Sequence, residues 1–305
     1  MTFSLLTPKE LPLPPALSYQ ITRTDGSSAD SFEAVFPADA AFYAPLAKHS
    51  GFLCRTSAGV LLRGMVDEVE LEYGNRHTVT LCGRGMAAPL MDSQMGYGEY
   101  YNLELSGLLS QMGITGARVE GGPYRLQSVC IRAGCSLWTA LNGFCLHAHA
   151  PQPRFLRDGT LYIGLTHGTH RLSEDTLLHG VKRLCRYGGI WEQRVHDLTT
   201  GTVSIAQSAI ARDFGITTTR YATRSGAFLP LTERTPAQRL QEANKNLYCL
   251  ELTLPGYRDM EPGDRVLAEL PSLDAAGVFR LAELCHRCDA AGSTTTLILQ
   301  KTEEA

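Results

Sequence analysis

Apolar and polar residues alternate with period two over much of the chain. Within MVDEVELEY (65–73), Val69, Leu71 and Tyr73 share one face, while Glu68, Glu70 and Glu72 share the other. That pattern predicts a strand with one wet side. Gly74-Asn75 offers the positive-φ residues a reversal needs, and Val79 and Leu81 return on the parity expected to be buried. Residues 65–85 therefore predict a β-hairpin, which the chain leaves through a polar, glycine-flanked arginine, Gly83-Arg84-Gly85. Upstream, LSYQITRT (17–24) and SFEAVFP (31–37) flank the turn signal Asp25-Gly26-Ser27-Ser28. A less regular connection, ADAAFYAPLAKHSGF (38–52), leads towards the hairpin.

After residue 86 the period changes. NLELSGLLSQMG (102–113) predicts a short helix with leucines at 103, 105, 108 and 109 and Gly113 as its stop. YRLQSVCI (124–131) reads as a strand. In CSLWTALNGFCLHAHA (135–150), Leu137, Trp138, Leu141, Phe144 and Cys145 follow helical spacing behind Ser136, an N-cap candidate. Gly143 weakens the far end of that helix, at about 1 kcal/mol relative to alanine. PRFLRDGTLYIG (153–164) predicts a hairpin turning on Asp158-Gly159.

The remainder again reads mostly as strand. LHGVKRLCRY, GIWEQRVHDL, TVSIAQSAI and GITTTRYATR are short β-type runs. Thr235-Pro236-Ala237-Gln238 combines a capping threonine, a proline at the first helical position and a capping-box glutamine, predicting a helix to about Asn246. LYCLELTLPG, RVLAEL, GVFRLAELCHRC and TTTLILQ then predict a meander of four strands with turn chemistry at each corner.

Composition narrows the class. With 305 residues, 44% hydrophobic and 19% charged, the chain has the make-up of a folded protein with room for two or three units. A formal charge of −3 supplies no clustered basic excess for nucleic acid. No apolar run reaches the roughly 20 residues of a membrane-spanning helix, and the proline-broken start, without a basic segment, does not predict a secretory signal. Nine cysteines scattered through apolar stretches predict buried free thiols and synthesis in a reducing interior.

Several groups could carry chemistry. Cys285-His286-Arg287-Cys288 is a C-x-x-C pair, able in principle to hold zinc or act as a dithiol. It has no second pair, and in a strand positions i and i+3 face opposite sides, which favours two free thiols. His147, His149, His167 and His170 flank the Asp158-Gly159 hairpin and could meet around a metal only if the fold converges them. Gly83-Arg84-Gly85 lacks the glycines and the Lys-Ser/Thr of a phosphate loop. No G-x-S-x-G elbow occurs, and the acidic row at 68, 70 and 72 reads as a solvated face. The basic and aromatic residues of TTTRYATR and KRLCRY are too sparse for a stacking platform. The residues themselves predict no catalytic, cofactor-binding or metal site.

Three stretches together resemble baseplate hub proteins of tailed phages, the late control protein D-like family. GMVDEVELEYGNRHTVTLCGRGMAAPLMDSQ (64–94) resembles the end of that family's first barrel, where a Gly-Arg corner hands over to the middle domain. CSLWTALNGFCLHAHAPQPRFLRDGTLYIG (135–164) resembles its middle domain. The segments 237–270 and 279–300 resemble its C-terminal barrel, with Pro-Gly and Pro-Gly-Asp turns and a final hairpin closing on TTTL. The cysteines depart from the pattern, and residues 167–232 match no part of it.

The resemblance implies a mainly β fold with an α+β insert: two similar β-barrels flanking a small mixed α/β domain. It predicts a first, tube-facing barrel over 1–92, a middle domain over 93–166 and a second barrel over 167–305, leaving open which barrel the strands of 167–232 complete. It further implies a structural, non-enzymatic homotrimer in the tail of a virion or phage-like particle, made in the host cytoplasm. There it would adapt a sixfold tail tube to a threefold spike, with the tape-measure protein a further candidate partner. No cofactor is implied, and DNA is met only in transit through the lumen, whose wall the row Glu68, Glu70 and Glu72 would suit. In such rings the sheet edges of one barrel can be covered by the neighbour's. Two alternatives stand beside this reading: a metal-dependent tail-associated hydrolase using the histidines or the Cys285 and Cys288 thiols, and a different, hexameric tail ring such as a distal tail protein.

Overall fold

The computed structural model describes residues 1–6, 10–25, 29–37, 51–74, 77–165, 168–226 and 228–301. Strand accounts for 51% and helix for 16%, so the fold is mainly β, as the alternation predicts. Among the described residues no helix is long and apolar enough to cross a membrane.

Seven strands come first: β1 (Thr2–Leu6), β2 (Leu11–Pro12), β3 (Ser18–Thr24), β4 (Ser31–Pro37), β5 (Gly51–Thr56), β6 (Gly59–Glu72) and β7 (Thr78–Gly85). A mixed segment follows, with α1 (Ala88–Asp92), β8 (Gly98–Glu104), α2 (Leu105–Gln111), β9 (Arg118–Val119), β10 (Arg125–Ile131), α3 (Leu137–His147), β11 (Pro153–Phe155) and β12 (Leu161–Ile163). Next come β13 (Thr169–Ser173), β14 (His179–Leu184), β15 (Glu192–Asp197), β16 (Val203–Gln207), α4 (Ala209–Asp213), β17 (Thr219–Arg224), β18 (Leu229–Pro230) and α5 (Pro236–Asn244). The chain finishes with β19 (Tyr248–Pro255), β20 (Arg265–Leu270), β21 (Ala275–Asp289) and β22 (Gly292–Gln300).

Thirteen of these strands form one sheet, ordered β14-β19-β22-β21-β3-β4-β7-β6-β5-β1-β2, with β20 beside β21 and β13 beside β20. Its two halves carry the same topology. Numbering β1, β3, β4, β5, β6 and β7 from one to six, the first half runs 2-3-6-5-4-1. Numbering β13, β14, β19, β20, β21 and β22 likewise, the second half also runs 2-3-6-5-4-1. The fifth strand is long in both. It pairs with the fourth strand near its start and with the sixth further along, and a register shift interrupts the pairing with the sixth between Val66 and Glu68 in β6 and between Leu281 and Glu283 in β21. The halves differ in one pairing: β1 runs antiparallel to β5, whereas β13 runs parallel to β20.

Each half curls around its own apolar core. Phe32 of β4 and Phe52 of β5 stack with ring centroids 3.8 Å apart, although β7 and β6 lie between their strands. A flat sheet would separate them by roughly 14 Å at the usual strand spacing, so the sheet folds over. Phe3, Leu5, Ile21, Phe36, Leu61 and Leu81 complete that core. Leu250, Leu252, Leu254, Val266, Phe279, Leu281, Leu297 and Leu299 fill the second. Each half is thus a curled sheet, and among the described residues no hydrogen-bond ladder closes either half on itself.

The middle core is built on α3, whose Trp138, Leu141 and Phe144 pack with Leu105, Leu108, Leu126, Val129 and Ile163. Ser136 caps α3 by accepting a hydrogen bond from the Thr139 backbone N–H at 3.1 Å. The helix runs through Gly143 without a break because the position has a packing role: a Cβ there would lie 1.9 Å from the Leu231 carbonyl oxygen. Leu231 belongs to the segment whose β18 pairs in parallel with β10, so residues 229–231 return to the middle core.

Several expectations need correction. In the hairpin of β6 and β7, Val79 and Leu81 are buried, but Val69, Leu71 and Tyr73 are 37%, 54% and 87% exposed; beyond the bulge, β6 extends past the core and both its faces meet solvent. Asn75 and His167, with 26–28 and 38–50, lie outside the described residues. Leu103 sits in β8, and the helix starts at Leu105. TVSIAQSAI is not one strand, since Ser208 caps the short helix α4 through the Ala211 N–H. The capping box of α5 forms as predicted, and that helix ends at Asn244. The last four strands are not a simple meander: β20, β21 and β22 are consecutive neighbours, but β19 pairs with β22, because its leucine row faces the core between β22 and β14.

Candidate functional site: an ion-pair junction joining the three cores

The segment Gly83-Arg84-Gly85 resolves into a two-faced corner. On the inner face, a Cβ at Gly83 would lie 2.0 Å from the Met65 carbonyl oxygen and 2.6 Å from the Phe32 ring. The missing side chain makes room for the stacked phenylalanines. On the outer face, the Arg84 guanidinium grips Asp67 at 2.8 and 3.1 Å and Asp92 at 3.0 and 2.7 Å. These two forked contacts tie the β6 bulge to the end of α1. The Arg84 hydrogen bond holds the Asp92 carboxyl below its ordinary range.

Close to this corner, side chains from all three cores converge. Arg23 of β3 is only 3% exposed and donates to Asp30 at 3.2 Å and to Glu261 at 2.6 Å. Burial opposes its charge, but the two carboxylates outweigh burial and hold it firmly protonated. Arg157, from the hairpin of β11 and β12, reaches the same Glu261, together with Asp259 at 2.5 Å and the Met260 carbonyl at 3.2 Å. Its hydrogen bond lowers the Asp259 carboxyl. Asp264 fixes the turn that carries these acids, accepting from the Glu261 N–H at 2.8 Å and the Gly168 N–H at 2.6 Å. A cleft of about 50 Å³ between Asp30, Trp138, Arg154 and Glu261 remains at the junction, room for a few waters at most.

His286 of β21 lies beside this network, 1% exposed, its ring 4.6 Å from that of Tyr257. Thr295 donates its hydroxyl proton to the Gly256 carbonyl at 2.6 Å, so at 3.0 Å it accepts from His286 Nδ1–H. That tautomer leaves Nε2 as a bare, buried acceptor without a partner. Burial, reinforced by Arg157 and Arg23, presses the imidazole down to about 4, so it is neutral.

The candidates from sequence lie apart. His147 Nε2 is 2.8 Å from the Glu233 carbonyl and His170 Nε2 is 2.8 Å from Asp264, while His149 occupies a left-handed position after α3. Among the described residues no group of three or more His, Cys, Asp or Glu could hold a metal ion. Cys285 and Cys288 are free thiols facing Thr22 and Tyr19 of β3. Burial pushes the Cys285 thiol up, away from the thiolate that metal or redox chemistry requires. Glu68, Glu70 and Glu72 stand on the exposed arm of β6. Sequence reasoning missed Arg23, Arg157, Glu261 and His286. The signal available was YRDMEPGD (257–264), where three acids crowd one turn. The junction links side chains of the three cores through charged hydrogen bonds.

No protein-family profile matches the sequence, and no curated protein aligns with it. Solved structures do share the fold. The 43 kDa tail protein of prophage MuSo2 from Shewanella oneidensis is similar over 99% of this chain and 98% of its own, with TM-score 0.78 and 15% identity. A tail protein from Neisseria meningitidis MC58 is similar over 98% and 96%, with TM-score 0.75 and 17% identity. The Escherichia coli c3393 protein, a type VI secretion component described as similar to the T4 tail proteins gp27 and gp5, is similar over 95% and 74%, with TM-score 0.60 and 10% identity.

Proposed function

We propose that this chain is the structural hub of a phage or phage-like tail baseplate, a homotrimeric ring that adapts a sixfold tail tube to a threefold spike. The observation that carries this reading is the repeated strand order 2-3-6-5-4-1 within one polypeptide. Two half-sheets of the same strand order per chain let three chains offer six similar surfaces, which is the symmetry conversion such a ring requires. The shared fold over nearly the full length of two tail proteins supports the same setting. In this reading the halves act as the two barrels, and the segment from α1 to β12, joined by β18, is the middle domain. Within the segment after the middle domain, β13 and β14 extend the second half, while β15, β16 and β17 form a small sheet of their own.

The role needs no catalyst. The side chains that converge most densely serve cohesion, and the particle's moving cargo, DNA, passes without being held. Cryo-electron microscopy of tail particles containing this chain tests the proposal. Three copies at the junction of tube and spike are expected, and six copies in one ring would replace the hub reading with that of a hexameric tail ring.

A further inference from the structure

The duplicated topology makes one pairing unmatched. Within the chain the two halves meet where β21, beyond its bulge, pairs antiparallel with β3. In half-sheet terms, the fifth strand of the second half pairs with the second strand of the first. The complementary pair is the fifth strand of the first half, β6 beyond its own bulge, and the second strand of the second half, β14. Among the described residues, Val66–Glu72 pair on one edge only, with β7, and β14 pairs only with β19. The β6 arm is exposed from residue 67 onward, and β14 is exposed at both ends and half-buried over Gly180–Lys182.

We infer that β6 of one copy pairs antiparallel with β14 of the next, repeating between chains the junction that β21 and β3 make within one. The inference rests on the ring reading above. The internal junction dictates the register. Cys285 faces Thr22 and Leu284 faces Arg23. Counted from the two bulges, Cys285 and Leu284 correspond to Glu70 and Val69. Thr22 faces Ser31 and Arg183 faces Cys249, and Ser31 and Cys249 hold equivalent places against Arg84 and Gln300. Thr22 therefore corresponds to Arg183, and Arg23 to Leu184. Transferred to the interface, Glu70 faces Arg183, Val69 faces Leu184, and the 87% exposed Tyr73 lies over Gly180. Of the pairs this register sets, acid meets base at Glu70, apolar meets apolar at Val69 and a ring meets a residue with no side chain at Tyr73, while Leu71 faces Lys182 and Glu72 faces Val181.

Charge also argues for the order of the contact. The β6 arm carries Glu68, Glu70 and Glu72, and β14 carries Lys182 and Arg183, which within the chain already meet Asp274 at 3.0 Å and Glu251 at 3.6 Å. Two β6 arms would repel each other, whereas β14 offers its partly paired cations to them. Charge therefore favours the head-to-tail combination, and a head-to-tail contact makes a ring where a symmetric one would make a dimer. The same charges keep two open edges from random pairing before assembly.

The register places Glu68 opposite Cys185, within the Cα separation that a disulfide spans. Tail particles containing the full chain with Glu68→Cys, once oxidised, are expected to give covalent trimers on a non-reducing gel, and adding Cys185→Ser should abolish them. Independently, Glu70→Arg and Arg183→Glu should each lower particle yield about tenfold, and the double exchange should restore it. Particles with three copies that neither cross-link nor show the charge rescue overturn the strand pairing and leave the hub reading standing. A cross-link ladder ending at six keeps the pairing and overturns the hub.

Discussion

His286 shows how a single side chain can couple the fold to pH. Its imidazole has one buried nitrogen satisfied by Thr295 and one bare, so protonation would place an unpaired donor beside Arg23 and Arg157. The folded-state value near 4 lies below the ordinary 6.5, so the unfolded chain binds the proton first. Stability from this group is fully present above pH 6.5 and is lost as pH falls towards 4, amounting to about 2 kcal/mol between pH 7.5 and 5. Urea denaturation at those two pH values should show the loss, and His286→Gln should remove most of the difference. Gly83 sets a steric constraint of the same scale. With a carbonyl 2.0 Å and a ring 2.6 Å from any added Cβ, Gly83→Ala should destabilise by about 1–3 kcal/mol, read as a lower urea midpoint. The two-residue spacing of the glycines around Arg84 is visible in sequence; which ring the missing side chain at Gly83 admits is not, because Phe32 lies on a distant part of the chain.

Among the elements, β21 links the most parts of the molecule. In fifteen residues it pairs with β20, β22 and β3, and the buried Arg23 of β3 extends that contact into the turn at 259–264. Removing one partner from a buried pair leaves the others unpaired in a place water barely reaches. Arg23→Ala is therefore expected to cost on the order of 3 kcal/mol and to separate one thermal transition into two, which calorimetry would resolve. A single unbroken transition would mean the cores are held together by the strand ladder alone. Local signals read the elements well: the hairpin of β6 and β7, the caps of α3 and α5 and the turn at Asp158-Gly159 all follow from adjacent residues. They fail where a strand's partner is distant. β19 precedes β20 in sequence but pairs with β22, and the apolar row Val69, Leu71 and Tyr73 is exposed.

For the whole molecule, the repeated strand order links fold to role. Phe32 and Leu250, Phe36 and Leu254, and Leu81 and Leu297 hold equivalent places in the two halves, while the intervening residues have diverged beyond any visible repeat. Alternation, turn chemistry and caps, read from the sequence alone, established the mainly β character, the position of the mixed segment and most strand limits, since those depend on neighbours within a few residues. Strand order, the curl of each half, the Arg23, Arg157 and Glu261 junction and the two strand edges without a partner among the described residues were decided only in the tertiary structure. Those features join residues as distant as Tyr19 and Cys288, and a pairing at that distance is selected by the burial and charge of both partners together, which neither segment carries by itself.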